Sequence, residues 1–375
     1  FKYKNMKIRI VLSTRPEIIK LAPLIKILKK NKNNFFLINT NQHYLNLMSK
    51  VFFDFFKIPK PKYYINASTK THGIFFSKTI NEIEKILFKE KPDYLIVQGD
   101  TNTALAGCLA GTMFNRKFIN NNNKLKIVHV ESGLRSFDEK MPEETNRKLI
   151  DHLSDILFPP TYIDLKNLKN EKLSHKTIYK VGNTISDVLK VYLPKLKKNR
   201  ILEKLNIKRK NFFLVTIHRA ECVDNIKNIK LILNTFEKIG KIYKKKFIFS
   251  VHPRTQKILK NLNNKNLKFV NFLKPLEYLD FIKLMIESRI VFTDSGGIQE
   301  EASMLGVSCI TLRTSTERQI TLIKKTNIIT GYNQNKIIYA AKKFYNKKMK
   351  KYKFFGNGDV SKKIYKKLKS NFKKK

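Results

Sequence analysis

Short, continuously apolar runs alternate with longer segments of helical periodicity along most of the 375-residue chain. Runs such as Ile8–Leu12 and Phe35–Asn39 have the length and composition of strands that are buried on both faces. Segments such as Ile18–Asn31 and Tyr278–Glu287 repeat apolar residues at the three- and four-residue spacing of a packed helix. Strands of this kind separated by helices predict an α/β fold with parallel sheets.

The alternation occurs in both halves of the chain, which predicts two Rossmann-like domains. The length also favours about two domains, at ~100–200 residues for each. We place the boundary in the VGNTISDVL stretch, so the first domain covers residues 1–182 and the second covers residues 183–357. Residues 358–375 are predicted to form a Lys-rich amphipathic helix.

Polar side chains stand where the predicted strands of both halves end. They are Arg15, Asp100, Glu131, His218, His252, Asp294 and Arg313. Open α/β sheets bind ligands beyond the carboxyl ends of their strands. Two such edges facing each other would form a deep polar cleft.

The segment TDSGGIQEEA has the features of a phosphate-binding turn. A strand ends at Asp294, and Ser295-Gly296-Gly297 lead into a helix whose N-terminus favours negative charge. Glu301, one turn inside this helix, could accept hydrogen bonds from a ribose diol. A hydrated strand-to-helix turn is the structural alternative, and the later Thr316-Glu317-Arg318 segment favours the functional interpretation.

The segment STRPEIIKLAPL places two cations, Arg15 and Lys20, near the start of the first helix. Pro16 suits the first helical turn, but cations at this end oppose the helix dipole. Their presence favours an anionic ligand. A surface ion pair between Arg15 and Glu17 is the alternative.

Three carboxylates and one histidine form a candidate acid–base set: Asp100, Glu131, Glu143 and His218. Such groups can remove and return a proton, and nearby cations can stabilise a departing anion. For Glu143, the alternative is a helix N-terminus enriched in acids behind Pro142. No His, Cys or Asp spacing indicates a metal, and no GxGxxG motif follows a strand. The sequence therefore predicts neither a metal nor a nicotinamide cofactor.

The formal net charge of +48 raises the question of nucleic-acid binding. The excess is lysine, with 65 residues against 12 arginines, and no recognisable RNA- or DNA-binding motif accompanies it. We expect a solvated basic surface and no specific nucleic-acid partner, with a functional basic patch as the alternative. Arginine is concentrated in motif-like segments, at Arg15, Arg135, Arg147, Arg219, Arg254, Arg313 and Arg318.

Three widely spaced cysteines fit neither a zinc site nor a disulfide framework. Cys108 and Cys309 lie among small apolar residues, so we expect buried free thiols in a reducing compartment. No apolar run reaches the ~18 residues of a membrane-spanning helix, and no signal peptide is apparent. We therefore expect a cytoplasmic protein without membrane insertion.

Taken together, these segments resemble the non-hydrolysing UDP-N-acetylglucosamine 2-epimerases, and the archaeal-type members in particular. The resemblance runs in order from Ser13 to Arg318, and FFGNGDVSKKI extends it near the C-terminus. It rests on the stretches STRPEIIKLAPL, TNQHY, VQGDTNTALAG, HVESGLRSFDEKMPEETNR, DHLSDILFPPT, VGNTISDVL, TIHRAE, TDSGGIQEEA and TERQ.

The resemblance implies a GT-B fold, in which two Rossmann-like domains with parallel sheets face each other across a cleft. The C-terminal helix would pack back on the first domain, and the second domain would bind UDP. The implied reaction is reversible conversion of UDP-N-acetylglucosamine to UDP-N-acetylmannosamine, through anti elimination of UDP to 2-acetamidoglucal and its re-addition. The family feeds surface polysaccharide synthesis, and the resemblance implies a cytoplasmic homodimer that needs no cofactor or metal.

Functional residues are carried over from the family position by position. The family's catalytic residues fall on Asp100, Glu131, Glu143 and His218. Its diphosphate and sugar contacts fall on Arg15, Lys20 and Arg318. Its remaining UDP contacts fall on Phe281, Ser295, Gly296, Gly297 and Glu301.

Three positions depart from the family pattern. Ser13 replaces the usual glycine of the first turn, and Gln319 replaces the proline after Arg318, which we expect to loosen that loop. The segment Thr71-His72-Gly73 lacks the Arg-Gln pair with which many bacterial members bind a second substrate molecule as activator. The sequence therefore argues against such activation.

Three related activities stay open: a UDP-2,3-diacetamido-glucuronic acid 2-epimerase, a hydrolysing UDP-N-acetylglucosamine 2-epimerase and a GT-B glycosyltransferase. The first shares most motifs and would differ in the residues that meet carbons 3 and 6 of the sugar. A nucleic-acid-binding protein that uses the lysine surface is the alternative of a different class.

Overall fold

The computed structural model describes residues 5–40, 46–67, 71–117, 124–260, 262 and 267–373, with the backbone alone for 46–50. The chain divides into two compact units. Unit 1 comprises Phe1–Val191 and Phe354–Lys375, and unit 2 comprises Tyr192–Lys353. The domain boundaries after residues 182 and 357 stay predictions. Apart from Thr40, the TNQHY motif lies outside the described residues.

The described strands form one sheet in each unit. In unit 1 they are β1 (Lys7–Leu12), β2 (Asn34–Asn39), β3 (Tyr63–Tyr64), β4 (Tyr94–Gln98), β5 (Lys126–Val130), β6 (Ile156–Phe158) and β7 (Thr177–Ile178). In unit 2 they are β8 (Phe212–Thr216), β9 (Lys246–Ser250), β10 (Val270–Leu273), β11 (Ile290–Thr293), β12 (Ser308–Thr311) and β13 (Asn327–Ile329).

Helices connect most of these strands. The first seven are α1 (Arg15–Lys30), α2 (Asn46–Phe56), α3 (His72–Glu90), α4 (Asn102–Arg116), α5 (Pro142–Leu153), α6 (Tyr162–Asn170) and α7 (Ile185–Tyr192). They are followed by α8 (Ile201–Lys204), α9 (Ala220–Val223), α10 (Ile226–Tyr243), α11 (Pro253–Lys260), α12 (Tyr278–Glu287), α13 (Gly296–Leu305), α14 (Gln319–Ile323), α15 (Gln334–Tyr345) and α16 (Val360–Lys373). No described helix combines the length and the apolar character needed to span a bilayer.

The sheet of unit 1 is parallel, with the strand order β3-β2-β1-β4-β5-β6-β7. The chain builds outward from β1 on both sides, so the strand order reverses between β1 and β4. Ligands of open α/β sheets bind in the crevice at such a reversal, beyond the carboxyl ends of the strands. The loops that follow β1 and β4 carry Arg15 and Asp100 to this edge.

The sheet of unit 2 is also parallel, with the order β10-β9-β8-β11-β12-β13. Its strand order reverses between β8 and β11. The loop after β8 carries His218, and the loop after β11 carries Asp294 and Ser295. The described core beneath this edge includes a cluster of buried aromatic rings, in which Phe247 lies 4.3 Å from Phe236 between ring centroids.

Small residues let α4 pack closely on the sheet of unit 1. A Cβ atom added at Gly111 would lie 3.0 Å from Ile127 Cδ1, and one at Gly107 would lie 3.1 Å from Val97 Cγ1. Larger side chains would push the helix away from the strands, because protein interiors leave little free volume. The small residues of α4 therefore let it pack closely against β4 and β5.

The C-terminal helix α16 is part of unit 1, where it packs against α1. Its first backbone N–H groups, from Val360 and Ser361, donate to Asp187 of α7 at 2.9 and 2.7 Å. The Tyr94 hydroxyl donates to the carbonyl oxygen of Leu368 at 3.1 Å. A carboxylate cap at the start of α16 and a buried tyrosine along its length thus fix the helix to the first half of the chain.

The predicted α/β elements are confirmed, although several bounds differ. Helix α1 begins at Arg15 instead of Ile18. Helical spacing in the sequence predicts a helix only over Asn81–Phe88, whereas α3 begins at His72. Strand β8 ends at Thr216, two residues before His218, so the polar strand-end groups lie in the loops just beyond the strands. Aromatic residues such as Phe75 and Phe76 have high strand propensity, which hid the first turns of α3.

The three cysteines are buried free thiols, as predicted. Burial raises the pKa of both Cys108 and Cys309 to about 12, and it also raises the pKa of Cys222. Within the described ranges, no three His, Cys, Asp or Glu side chains are grouped so as to hold a metal ion.

Candidate active site

Glu17, on the first turn of α1, joins the loops that follow β1 and β4. Its Oε2 accepts hydrogen bonds from the backbone N–H groups of Ser13 (3.0 Å) and Thr14 (2.6 Å), and its Oε1 accepts one from Thr101 Oγ1 (2.7 Å). Thr14 and Glu17 form a capping box. Burial raises the pKa of Glu17, and these donors oppose the rise. Glu17 is therefore a buried structural carboxylate.

Arg15 is the first residue of α1 and is partly buried. Its guanidinium carbon lies 4.7 Å from the centroid of the Phe52 ring, and such stacking orients a planar cation. Ser13, in the same turn, does not have the positive φ that would favour glycine. The departure from glycine therefore fits the turn without backbone strain.

Lys20 and Glu131 form a buried ion pair, and they are only 6% and 5% exposed. Lys20 Nζ lies 2.7 Å from both carboxylate oxygens, and Gln98 Nε2 donates to the same carboxylate. Glu131 has a left-handed backbone with a φ of 72°, which is uncommon for a residue with a side chain. A predicted substrate contact and a predicted catalytic group are thus direct partners.

Asp100 is held by Arg147 of α5. The Nε and Nη2 atoms of Arg147 lie 2.8 and 2.6 Å from Asp100 Oδ2, while 29% of the Asp100 side chain stays exposed. Arg147 is buried, and its Nη1 lies 2.5 Å from Glu144 Oε2. Asp100 is therefore a partly exposed carboxylate on a buried cationic support.

Glu143 and Glu144 are neighbours on the first turn of α5 with different surroundings. Glu144 is buried and accepts hydrogen bonds from the backbone N–H groups of Ser136 and Phe137, at 2.9 and 3.0 Å. Burial alone would raise the pKa of Glu144, but the Ser136 N–H and the charge of Arg147 hold it below its usual value. Glu143 is partly exposed. The structural role belongs to Glu144, and Glu143 has the more accessible position.

His129 of β5 is buried and has both ring nitrogens against oxygen atoms. Its Nδ1 lies 2.7 Å from Asp151 Oδ1, and its Nε2 lies 2.8 Å from the carbonyl oxygen of Gly99. Arg135 Nη1 lies 2.8 Å from Asp151 Oδ2. Burial opposes ionisation of Asp151, but His129 and Arg135 hold its pKa below the usual value. This network supports the backbone just before Asp100 and the loop after β5.

The N-terminus of α13 forms an open turn beyond β11. The first helical residues are Gly296 and Gly297, and the Ser295 side chain at the N-cap makes no capping bond to the described chain. The first N–H groups of a helix have no intrahelical acceptors and favour an anion. Among described atoms, a Cβ at Gly297 would have only Ser295 Oγ nearby, at 3.9 Å. The turn has the geometry of a phosphate site.

A buried charge cluster beneath this turn explains why position 296 is glycine. A Cβ atom at Gly296 would overlap Glu317 Oε1. Glu317 cannot easily move, because it lies 3.1 Å from Arg313 and 3.5 Å from Arg318. Arg318 Nε also lies 2.6 Å from Glu300 Oε1. The cluster holds Arg318 beside the turn at Ser295–Gly297.

Gln319, which stands where the family has proline, is the first residue of α14. Its Nε2 donates to the carbonyl oxygen of Thr316 at 2.8 Å, and the Arg318 N–H donates to Thr316 Oγ1 at 3.1 Å. These bonds close the loop in place of the proline ring. The loosening of this loop stays a prediction.

Glu301 lies inside α13 and is buried, with its Oε1 accepting a hydrogen bond from the Tyr278 hydroxyl at 2.9 Å. Tyr278 and Phe281 lie on α12, which packs against α13. The orientation of the carboxylate is thus set by a tyrosine. Phe281 is largely buried in the same unit.

His218 lies in the loop after β8, with 36% of its side chain exposed. The backbone N–H groups of His218 and Arg219 donate to Asp294 Oδ2 at 2.8 and 2.7 Å. The other oxygen, Asp294 Oδ1, lies 3.4 Å from His218 Nδ1. The His218 ring centroid is 5.3 Å from that of His252. Asp294 therefore ties the loop that carries His218 to the loop that carries Ser295.

Four residues outside the predicted site support its side chains: Gln98, Arg147, Tyr278 and Asp294. Two signals pointed toward them, since Arg147 is one of few arginines and Asp294 stands at a strand end. No sequence pattern indicates Gln98 or Tyr278, because each donates to a carboxylate that is distant along the chain.

Known proteins match this chain over almost its whole length. A family model described as UDP-N-acetylglucosamine 2-epimerase matches residues 26–369. The chain belongs to this family. The UDP-N-acetylglucosamine 2-epimerase of Methanocaldococcus jannaschii is 45% identical over 366 residues, which cover 96% of this chain and 98% of the relative.

Further matches place this 2-epimerase family member among its relatives. The crystal structure of the M. jannaschii UDP-GlcNAc 2-epimerase in complex with UDP-GlcNAc and UDP has a TM-score of 0.89 and 44% identity, and the match covers 97% of this chain and 100% of that chain. The UDP-2,3-diacetamido-2,3-dideoxy-D-glucuronate 2-epimerase of Pseudomonas aeruginosa is 34% identical over 364 residues, or 96% of this chain and 98% of the relative.

The family and its archaeal character, which the motifs predict, are confirmed by these matches. The two parallel sheets belong to a GT-B fold, as predicted. The chain is an enzyme of the isomerase class, within the UDP-N-acetylglucosamine 2-epimerase family.

Proposed function

We propose that this chain interconverts UDP-N-acetylglucosamine and UDP-N-acetylmannosamine by inverting carbon 2 of the sugar. The observation that carries the proposal is the open turn at Ser295–Gly297, with Arg318 fixed beside it, in a chain of the 2-epimerase family. The reaction also needs acid–base groups, and unit 1 offers carboxylates that are held in place by buried cations.

The diphosphate of the substrate is proposed to bind at the N-terminus of α13. The N–H groups of Gly296 and Gly297 can donate to it, and Ser295 can add its hydroxyl. Arg318 is oriented by Glu300 and Glu317 and provides a cation next to the turn. A helix N-terminus and a fixed cation stabilise UDP both when bound and when it leaves.

The nucleoside end of UDP is proposed to contact Glu301 and Phe281. The Tyr278 hydroxyl orients the Glu301 carboxylate, which can accept hydrogen bonds from the ribose hydroxyls. Phe281 offers an apolar neighbour for the uracil side of the nucleotide. Both residues lie in the unit that carries the diphosphate turn.

The chemistry is proposed to be elimination followed by re-addition. A base takes the proton from carbon 2, a double bond forms between carbons 1 and 2, and UDP leaves with the electrons of the bond between carbon 1 and oxygen. The neutral sugar product is 2-acetamidoglucal. UDP then adds back to carbon 1 while carbon 2 receives a proton on the opposite face.

Asp100, Glu131, Glu143 and His218 are proposed as the acid–base groups. Lys20 offsets the charge of Glu131, and Arg147 fixes Asp100 while leaving it partly exposed. Arg15 is proposed as a further cation for the diphosphate or sugar. Fixed cations around carboxylates favour steps in which charge develops on the departing UDP.

The N-acetylhexosamine is favoured over the diacetamido-glucuronate as the sugar. The relative named for the first activity is 45% identical, and the relative named for the second is 34% identical. Carbons 3 and 6 of the sugar distinguish the two substrates, so the experiment below includes both.

The test is a proton NMR time course of the purified protein in heavy water, with UDP-N-acetylglucosamine in one sample and the UDP-2,3-diacetamido-glucuronate nucleotide in another. We expect UDP-N-acetylmannosamine to appear with deuterium at carbon 2, because the abstracted proton is replaced from solvent. Release of free N-acetylmannosamine would instead indicate a hydrolysing enzyme. Exchange only with the diacetamido-glucuronate nucleotide would assign that nucleotide as the substrate. No exchange with either nucleotide would refute the proposal.

Three variants test the acid–base assignment: Asp100→Asn, Glu131→Gln and His218→Asn. Each is expected to lower turnover by about 10²–10⁴-fold while UDP affinity changes little. Glu203→Gln, at an exposed surface pair with Arg200, serves as the matched control and should keep normal turnover. Near-normal turnover in all three active-site variants would place the acid–base set elsewhere.

We further propose that the protein acts in the cytoplasm as a homodimer. Free thiols at all three cysteines support a reducing compartment. Exposed apolar side chains at Ile74, Met113 and Leu149 lie on α3, α4 and α5, which pack side by side, and they support an association surface in unit 1.

A further inference from the structure

Asp294 stands at the reversal of strand order in unit 2, next to His218. Strands β8 and β11 are parallel neighbours, with Thr216 opposite Thr293, so their following loops begin side by side. The Asp294 side chain is fully buried. Its Oδ2 accepts both the His218 and the Arg219 backbone N–H groups, at 2.8 and 2.7 Å. One carboxylate oxygen is thus committed to shaping the His218 loop.

The second oxygen of Asp294 faces the His218 ring. Oδ1 lies 3.4 Å from Nδ1 and, within the described residues, accepts no hydrogen bond that meets ordinary geometry. A buried carboxylate oxygen without a donor is costly, which favours a proton on Nδ1 that points toward it. Catalytic hydrogen bonds are often long before substrate binds and shorten in the complex.

The ring geometry leaves the other nitrogen of His218 for chemistry. The side chain is about one-third exposed, and no described residue forms a hydrogen bond to Nε2. A neutral imidazole carries one proton, so a proton on Nδ1 leaves the Nε2 lone pair available. The Asp294 carboxylate would also stabilise the positive charge of the ring when Nε2 takes up a proton.

We infer that Asp294 is a positioning residue that holds His218 in the Nδ1–H tautomer, so that Nε2 is the atom that exchanges protons or hydrogen bonds with the substrate. The inference rests on the proposed function where turnover is concerned, but the tautomer itself does not depend on any substrate. Because Asp294 directly precedes Ser295, the same loop carries the proposed diphosphate site and the support of the histidine.

Asp294→Asn is a sharp probe because asparagine has only one acceptor oxygen. The His218 and Arg219 backbone N–H groups require that oxygen, so the amide NH₂ is directed at His218 Nδ1. An NH₂ group donates to the Nδ1 lone pair, which forces the proton onto Nε2. The variant therefore keeps the loop contacts and reverses the tautomer.

The first measurement is ¹⁵N–¹H NMR of the histidine rings in the whole protein at about pH 9, above the ordinary histidine pKa of about 6.5. We expect the Nδ1–H form for His218 in the native protein and the Nε2–H form in Asp294→Asn. His218→Asn identifies the resonance. Asp224→Asn, an exposed aspartate paired with Arg254, is the matched control and should leave the tautomer unchanged. A native Nε2–H form would overturn the inference.

The second measurement is the turnover of Asp294→Asn, both in the native protein and in a His218→Asn background. Asp294→Asn is expected to lower kcat by about 10²–10⁴-fold with little change in UDP affinity. In a His218→Asn background the same change should add almost nothing, since Asp294 acts through the ring. An equal loss in both backgrounds, or lost UDP binding with an unchanged tautomer, would overturn the inference. No turnover by the native protein would refute the proposed function while the tautomer result still stood.

Discussion

The candidate carboxylates differ at the level of single residues in what holds them. Glu131 is buried against Lys20 and Gln98, whereas Asp100 is partly exposed and rests on Arg147. Breaking a buried ion pair from one side leaves the other charge desolvated without a partner. Loss of activity at these positions therefore has to be separated from loss of stability.

A pair of variants at Lys20 and Glu131 makes that separation. Lys20→Met is expected to lower the free energy of unfolding by about 3–5 kcal/mol, because Glu131 stays buried without its cation. The double variant Lys20→Met/Glu131→Gln should regain most of that stability, since a neutral amide can still bond with Gln98. It should stay inactive. Urea unfolding and turnover assays measure both quantities.

Lys85→Met, at an exposed ion pair with Glu82, is the matched control and should leave stability and turnover near normal. If Lys20→Met were as stable as the native protein, the Lys20–Glu131 pair would not be the buried interaction described above. Normal turnover of the double variant would remove Glu131 from the acid–base set.

At the scale of secondary-structure elements, the N-termini of α1 and α13 differ in whether a side chain already caps them. This difference is why the diphosphate is proposed to bind in unit 2. The start of α1 is closed by its own carboxylate, since Glu17 accepts the Ser13 and Thr14 N–H groups. The start of α13 is left open by Ser295. An anion at α1 would compete with Glu17, whereas an anion at α13 meets N–H groups and Arg318 without a competing cap.

The glycines of α13 give the prediction at this scale. Gly296→Ala should lower the free energy of unfolding by about 1–3 kcal/mol and weaken UDP binding about tenfold, because the new methyl group displaces Glu317 from its ion pairs. Thermal unfolding and calorimetric UDP titration measure the two effects.

Gly297→Ala is the neighbouring control, since a methyl group there contacts only Ser295 Oγ among described atoms. It should keep the native melting temperature, whatever its effect on UDP. Equal stability losses at positions 296 and 297 would show that the charge cluster does not select glycine at position 296.

At the scale of the whole molecule, net charge and exposed apolar surface have opposite effects on the association of two copies. Each chain carries a formal charge of +48, so two copies repel one another at low ionic strength. Salt screens this repulsion over a length of about 10 Å at 0.1 M, while apolar contacts are not weakened. Association through the apolar residues of α3, α4 and α5 should therefore strengthen as salt is added.

Light scattering across a salt series tests the proposed homodimer. We expect twice the 44.1 kDa chain mass at moderate salt, with partial dissociation when salt is lowered. Leu149→Lys should give monomers, and Ile242→Lys, on an exposed part of α10, should not. A single-chain mass at every salt concentration, or dissociation by both variants, would contradict the proposed surface.

Much of this enzyme could be predicted from local sequence. Continuous apolar runs indicate parallel strands, since a strand covered on both faces needs apolar residues on both. Ser295-Gly296-Gly297 indicate an anion-binding turn for a local reason, namely the unpaired N–H groups at a helix start. The first turns of α3 were missed because their aromatic residues favour strands locally, and packing against α4 overrides that preference.

The sequence by itself determined the α/β fold, the anion-binding character of the turn at Ser295–Gly297 and the family, because each depends on short segments with recognisable chemistry. Only the tertiary structure decided which residues support one another. Glu131 meets Lys20 from 111 positions away, and His218 meets Asp294 from 76 positions away. Such pairs arise where parallel strands end at one edge of a sheet, so strand order, and not spacing along the chain, brings them together.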